Sequence, residues 1–494
     1  MERESLDADR QGPQDGVQAD DFGWLADIAA GAGIGAGSSV KYAAIAELIA
    51  EAIGSGRLAV GTRLPPQRDL ATRLGVTVAT VTKAIAELIR LGLVETRRGA
   101  GTFVAHARAR DEAQAGDGAA SRPRPPRSQV DLAVNRPLAA IAAPFLEEAL
   151  ASVAHSAAMT DLFGYEPVGG DDLHRRAGAR WLGHRGIEIG AEEILVTQGG
   201  NDGLMAALIA TCRRGDAVAC EESNYSGILR LAQFLGLILV PVALDEQGMR
   251  PESLEKACRD RGVRTVLCTP VTHNPTMATM SGARRSAIAE IVRTNGLVMI
   301  EDDLYGHLVA DREATFLARL PEQTVYVTSL SKCMAAGLRV GFLAAARSRL
   351  NRIRDALYMT SWTAPSLHAG IAAELIESEA AGELVAAQRD EALSRMALAR
   401  KIFGQALAGH GAVASYHAWL RLAAPLRAEA ICAELLRWGI VVSPASHFAI
   451  PGSAPANAMR ISLGTLADRG ELAHALNEVA SRLSGEGIRI GAIA

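Results

Sequence analysis

No apolar run in this 494-residue chain approaches the roughly 20 residues needed to cross a bilayer. A membrane-spanning helix is therefore not expected. The first residues, MERESLDADRQGPQDG, are polar and acidic and lack the basic start and apolar core of a signal peptide. The six cysteines contain no C-x-x-C pair, and no histidine spacing beside them suggests a zinc site. They read as scattered buried thiols of a reducing compartment. No repeat of solenoid length is apparent. The formal charge is only -4, so the whole molecule is not a polybasic nucleic-acid coat and any basic surface must be local. These absences lead to the expectation of a soluble, cytoplasmic protein with no metal site and no membrane partner.

With 49% hydrophobic residues the chain can bury a large core, and its length suits two to four domains. Residues 1–36 show no helical or strand period and are expected to form a disordered extension. From Lys41 apolar residues recur at three and four (Ile45, Ala46, Ile49, Ile53), predicting a helix that ends near Gly54. A second short helix follows Pro65-Pro66, with Gly75 placed to terminate it. Thr77 caps a third, carrying Val81, Ala84, Ile85 and Leu88 inward. VETRRGAGTFV then reads as strand, Gly-rich turn and strand. These elements define a small α+β domain over 37–106. Residues 107–128 hold almost no large apolar side chains and end in an Arg-Pro run, the composition of a linker that extends up to roughly 70 Å at about 3.1 Å per residue.

Helix, turn and helix followed by a hairpin suit DNA, because such a motif lays the start of its second helix in the major groove. Thr77, Thr80, Thr82 and Lys83 stand at that start, and Arg68 lies early in the preceding helix, where a cation clamps phosphate. Arg97, Arg98 and Gly101 surround the hairpin turn. Residues 36–108 carry ten Lys/Arg against five Asp/Glu, a local excess of +5 that phosphate attraction requires. Period and charge alone fit a helical docking domain equally well. The stretch RLPPQRDLATRLGVTVATVTKAIAELIRLGLVETRRGAGTFV, however, closely resembles the GntR-type winged helix-turn-helix. That resemblance implies a double-stranded DNA operator as partner. Val78 stands where the GntR pattern often has Arg, which implies altered base readout.

From Val130 onward strand-like runs alternate with helical stretches: 193–197, 217–221, 237–242, 265–269, 297–301, 324–328 and 341–345. This is the α/β pattern of a mostly parallel sheet covered on both faces. The domain is expected over 129–494, with a large subdomain at about 160–365 and a C-terminal small one at about 366–494. Chemistry-bearing residues gather at strand ends. Ser329 and Lys332 follow TVYVT, and Arg339 comes seven positions after the lysine, in a position to fork onto a phosphate. In LVMIEDDLY an apolar strand ends in Glu301, Asp302 and Asp303, with Tyr305 just beyond; the rival reading of Asp302 and Asp303 is a helix cap, which fits Asp303 better than Asp302. Gly200 and Asn201 open a helix after EILVT, an anion-binding arrangement that is common and weak by itself. Tyr225 follows AVACE, and Asn274 follows TVLCT.

Together these residues resemble fold-type I aminotransferases, from about residue 160 to the C-terminus. The resemblance implies pyridoxal 5'-phosphate (PLP) as cofactor. It makes Lys332 the Schiff-base lysine, Asp302 the partner of the pyridine nitrogen, and Asn274 and Tyr305 the ligands of the ring oxygen. Tyr225 stacks on the ring, and Gly200, Asn201, Ser329 and Arg339 hold the phosphate. Tyr165, in LFGYEPVGG, matches a tyrosine that reaches the neighbouring subunit's phosphate. Arg460, in AMRISLG, matches the arginine that grips a substrate carboxylate. NPTM stands where the family commonly has NPTG, which places Met277 in that loop. A GntR winged helix, a linker and an aminotransferase domain in this order resemble the MocR family of bacterial regulators, which implies a homodimer sensing a small amino acid or amine. Three readings stay open: a sensor of amines or amino acids, an active aminotransferase with an accessory DNA-binding module, and a regulator whose effector is PLP itself.

Overall fold

The computed structural model describes residues 41–54, 58, 62–90, 93–97, 101–104, 129–309, 313–409 and 413–484. The expected extension (1–36), the expected linker (107–128) and Arg98 lie outside these residues. The chain divides into two units between Gln114 and Ala115.

The first unit contains α1 (Lys41–Gly54), α2 (Gln67–Arg73), α3 (Val78–Arg90), β1 (Val94–Arg97) and β2 (Gly101–Val104). Ile45, Ile49, Leu70, Val81, Ala84 and Leu88 meet in one buried cluster, each large aliphatic contributing roughly 1.5–3 kcal/mol by leaving water. Between α2 and α3, Gly75 takes the left-handed φ of +61° that ends a helix without a Cβ penalty. Thr77 then starts α3 by accepting a hydrogen bond from the Thr80 amide at 3.3 Å. β1 and β2 pair antiparallel, Val94 opposite Val104 and Arg97 opposite Gly101. The backbone of 62–64 lies along β2, with the Leu64 amide donating to the Thr102 carbonyl at 2.8 Å.

The second unit begins with β3 (Val130–Asp131), α4 (Ala139–His155) and α5 (Asp172–Gly183). Next come β4 (Ile194–Thr197), α6 (Gly200–Thr211), β5 (Ala217–Glu221), α7 (Ser226–Leu235), β6 (Ile238–Val242) and the small hairpin of β7 (Leu244–Asp245) and β8 (Gly248–Met249). The series continues with α8 (Pro251–Arg261), β9 (Thr265–Cys268), α9 (Gly282–Thr294), β10 (Val298–Asp302), β11 (Thr324–Ser329) and β12 (Gly341–Ala345). A seven-stranded sheet has the order β4-β12-β11-β10-β9-β5-β6. All its neighbours pair parallel except those of β12, which runs antiparallel to β11 and β4. β4, β9, β11 and β12 are buried along their whole length and β10 at every residue but its first, as expected of strands with helices on both faces. Among the described residues no helix is long and apolar enough to cross a membrane, and all six cysteines are free thiols.

The C-terminal part carries α10 (Arg347–Met359), α11 (Ser366–Glu377), the long α12 (Ala380–Phe403) and a three-stranded sheet ordered β13 (His417–Arg421), β16 (Ala458–Ser462), β15 (Ser443–Pro444). β14 (Ile440–Val441) pairs with β3, so the segment at the start of the unit is bound into its C-terminal part. The sequence pattern did not single out these strands; each is only two to five residues long. The parallel strands of the large sheet, by contrast, aim their C-terminal ends at one edge, and the site is built there.

Candidate functional site

Four strand ends and the start of α6 surround a cavity of about 490 Å³. Its wall includes Gly200, Asn201, Tyr225, Asn274, Asp302, Tyr305, Ser329, Lys332 and Arg339, nine of the residues singled out in the sequence. A larger and more open groove of about 850 Å³ beside Arg213 and Arg352 contains none of them.

Lys332 leaves β11 through a single 3-10 turn, started by the Ser329 hydroxyl accepting from the Ser331 amide at 3.2 Å. Its ammonium donates to the Asn135 carbonyl at 2.7 Å. Asp302, the last residue of β10, is buried, and its Oδ1 has no hydrogen-bond partner. Burial, then the charges of Glu221 and Asp303, push its carboxyl up to about 8; the Lys332 ammonium opposes the rise. A buried, unpaired carboxylate is costly, and a protonated ring nitrogen is the partner that would relieve it. Ser331 likewise turns a buried, unpartnered hydroxyl to the cavity. Asp303 behaves differently. Its oxygens accept from the Gly306 amide (3.0 Å), the Arg185 Nε (3.0 Å) and the Tyr326 hydroxyl (2.8 Å). The neighbouring acids thus divide into a cap with a buried ion pair and an open acid.

α6 brings its free N-terminal amides to the cavity. Gly199, at φ +83°, turns the chain into the helix, and a Cβ on Gly200 would meet Leu304 at 2.6 Å. Arg339, in the left-handed region at φ +52°, presents an exposed guanidinium whose Nη2 reaches the Gln198 carbonyl at 3.3 Å. The start of α6, Ser329 and Arg339 thus lie on one cavity wall, a set of groups that could hold an anion.

Two predicted residues stand elsewhere. Arg460 is buried behind the cavity wall: Nη1 donates to Asn274 Oδ1 at 2.9 Å, Nη2 donates to the Ala133 carbonyl at 2.5 Å, and the guanidinium lies 4.8 Å over the Phe448 ring. Tyr165 is 99% exposed and lies away from the cavity, its ring 6.3 Å from that of Trp362. The sequence reading missed Asn135, Arg136, Thr269, Leu304 and Ser331 on the wall. Only Ser331, inside SLSK, had a local signal. Glu166, Asp171 and His174 bring possible metal ligands within 4.8 Å of one another. They are already engaged as a helix cap (His174 amide to Asp171, 2.8 Å) and a hydrogen-bond contact (His174 Nδ1 to Glu166, 3.2 Å).

In the first unit Arg68, Thr77, Thr82 and Lys83 are exposed and Thr80 is half-buried. The Thr82 hydroxyl lies 2.7 Å from Gln67 Oε1 and 2.9 Å from the Val78 carbonyl, tying α3 to α2. Thr77 and Thr80 share a hydroxyl contact of 2.9 Å.

The family described as aminotransferase class I and II matches residues 127–478, and that of bacterial regulatory proteins, gntR family, matches residues 41–104. The HTH-type transcriptional regulator YdeF of Bacillus subtilis is 30% identical over 85% of this chain and 90% of its own. The chain belongs to the MocR-type regulators. A second relative of the MocR-type chain is the vitamin B6 salvage pathway transcriptional repressor PtsJ of Salmonella typhimurium. It is 30% identical over 86% of this chain and 94% of its own. Among solved structures, the α-aminoadipate aminotransferase LysN of Thermus thermophilus shares the fold, with a TM-score of 0.66 at 23% identity over 73% of this chain and 93% of that one.

Proposed function

We propose that this MocR-type chain regulates transcription by coupling operator binding in its winged helix to PLP-dependent sensing of a small amine or amino acid. The observation that carries the reading is the unpartnered, buried Asp302 Oδ1 facing the cavity of Lys332, in a chain that also contains a GntR unit. When bound, PLP supplies an electrophilic carbonyl attached to an electron-withdrawing ring. Lys332 anchors that carbonyl. Asp302 holds a proton on the ring nitrogen, and its charge is stabilised once that partner arrives. Asn274 and Tyr305 would hold the ring oxygen, Tyr225 would pack on the ring, and Gly200, Asn201, Ser329 and Arg339 would take the phosphate. Arg460, oriented by Asn274, receives the carboxylate of an amino-acid effector.

An amine effector would compete with the Lys332 amine for the cofactor carbonyl, and the Asn135 carbonyl accepts from the Lys332 ammonium when that side chain is not engaged by cofactor. Residues 130–135 are bound in turn to the C-terminal sheet: Ser462 Oγ donates to the Val134 carbonyl, and the Leu132 amide to the Val441 carbonyl at 2.8 Å. The state of Lys332 is thereby linked to the position of the C-terminal part. Such a ligand changes operator affinity only if it binds the two states unequally. Exposed Phe163, Tyr165, Tyr358, Met359 and Trp362 support a homodimer in which Tyr165 reaches the partner's phosphate. Arg68, Thr77, Thr80, Thr82, Lys83, Arg97, Arg98 and Gly101 form the DNA-contacting set. The name of the relative PtsJ favours a second reading, in which PLP itself is the effector. Operator affinity measured against PLP and amines tests both: a response that persists in Lys332→Ala overturns the first.

A further inference from the structure

We infer that the Asn135 carboxamide is a positioning residue that fixes the hydroxyl of Tyr305, with His417 holding the carboxamide in turn. The inference rests on the PLP reading above. Asn135 lies in the loop after β3, is 4% exposed and touches the site twice. Its carbonyl accepts from Lys332 Nζ at 2.7 Å. Its Nδ2 donates to the Tyr305 hydroxyl oxygen at 3.0 Å and lies 3.0 Å from His417 Nδ1. The two protons of one amide nitrogen can serve these two contacts when His417 carries its proton on Nε2 and accepts at Nδ1, which also lies 3.1 Å from the Ser415 hydroxyl. His417 stands at the start of β13, and the rings of His417 and Tyr305 are 5.5 Å apart.

The direction of the bond matters. Tyr305 O accepts from Asn135, so this contact does not consume the O–H proton of a side chain that lines the cavity. A phenol that accepts a hydrogen bond is also a stronger donor. Asn135 therefore directs Tyr305 to donate to an oxygen anion, the phenolic oxygen of a bound pyridoxal ring. Drawing charge off that oxygen makes the neighbouring lysine-bound nitrogen easier to deprotonate. The titratable and charged groups around this centre are Asp302, Glu221, Asp303 and Lys332, Arg460 and His417 on the C-terminal strands, and Arg136 and Arg339 on the cavity wall.

The test is a pH titration of the visible absorbance of full-length protein carrying PLP, comparing wild type, Asn135→Ala and His417→Gln. Asn135→Ala keeps the carbonyl that meets Lys332 and removes only the amide. The midpoint should rise in Asn135→Ala by several tenths of a pH unit to one unit, and in the same direction but less in His417→Gln. PLP affinity should change less than tenfold. An unchanged or lowered midpoint in a variant that binds PLP overturns the inference; a lowered one would mean that Tyr305 donates to Asn135 instead. If wild-type protein shows no lysine-linked absorbance at all, the PLP reading itself fails.

Discussion

Replacing Asp302 with Asn should change the pH dependence of stability in opposite ways with and without cofactor. In the cofactor-free protein the Asp302 carboxyl is raised from 3.8 to about 8 by burial and by Glu221 and Asp303. Its folded value exceeds its unfolded one, so between about pH 4 and 8 the unfolded chain holds fewer protons. Stability contributed by the protonated acid is complete below pH 4 and is lost as pH rises toward 8. The displacement corresponds to at most roughly 6 kcal/mol at alkaline pH. Glu221, itself pushed to about 7, shares the electrostatic strain, so Asn at 302 should return about half, ~3 kcal/mol. For a unit of this size that is a melting shift on the order of 5 °C. Thermal melts of apoprotein at pH 5 and pH 8.5 should show the variant gaining on wild type as pH rises. Saturating PLP should reverse the order, because only the carboxylate can pair with a protonated ring nitrogen. Parallel pH profiles for the two apoproteins would refute the assignment of Asp302 as a strained, unpaired acid.

Arg185→Ala removes one side of the buried pair with Asp303, whose side chains are 2% and 0% exposed. Leaving a charge unpaired there should lower stability by about 3–5 kcal/mol, measured by denaturant titration; a loss under about 1 kcal/mol would mean the pair is dispensable. Arg460→Ala should weaken carboxylate-bearing effectors by roughly thirtyfold, about 2 kcal/mol, and spare plain amines. Spectral titration with amino acids and their decarboxylated analogues reads this difference, and equal loss for both classes would place the carboxylate elsewhere.

Much of the architecture is readable because it is local. The helices of the first unit follow from apolar spacing, and the turn between α2 and α3 from Gly75 and Thr77. The buried strands of the large sheet follow from short apolar runs, Asp302 ends one of them, and Lys332 and Asn274 follow within a few residues of two others. Lysine is scarce, five in the chain, so one in an SLSK turn stands out. The antiparallel course of β12 is not readable, since GFLAA is apolar on both faces and carries no directional signal. The short strands of the C-terminal sheet have too few residues to show a period. Asn135 is invisible for another reason: its partners Tyr305, Lys332 and His417 lie 170, 197 and 282 residues away. Nothing in AVNRPL points to them. Arg460 was found by resemblance, but its lock onto Asn274 and the Ala133 carbonyl depends on how β16 meets the start of the unit.

In the proposed function Lys332 connects cofactor chemistry to DNA binding. The most direct test measures operator affinity of wild type and Lys332→Ala, both supplied with PLP, across a titration of amines and amino acids. Borohydride trapping at each point records whether PLP is bound through lysine. Wild-type affinity should shift as trapping at Lys332 falls. Lys332→Ala should show no trapping and hold one affinity throughout. An operator response to amines of equal size in Lys332→Ala, or trapping that survives in that variant, would contradict it.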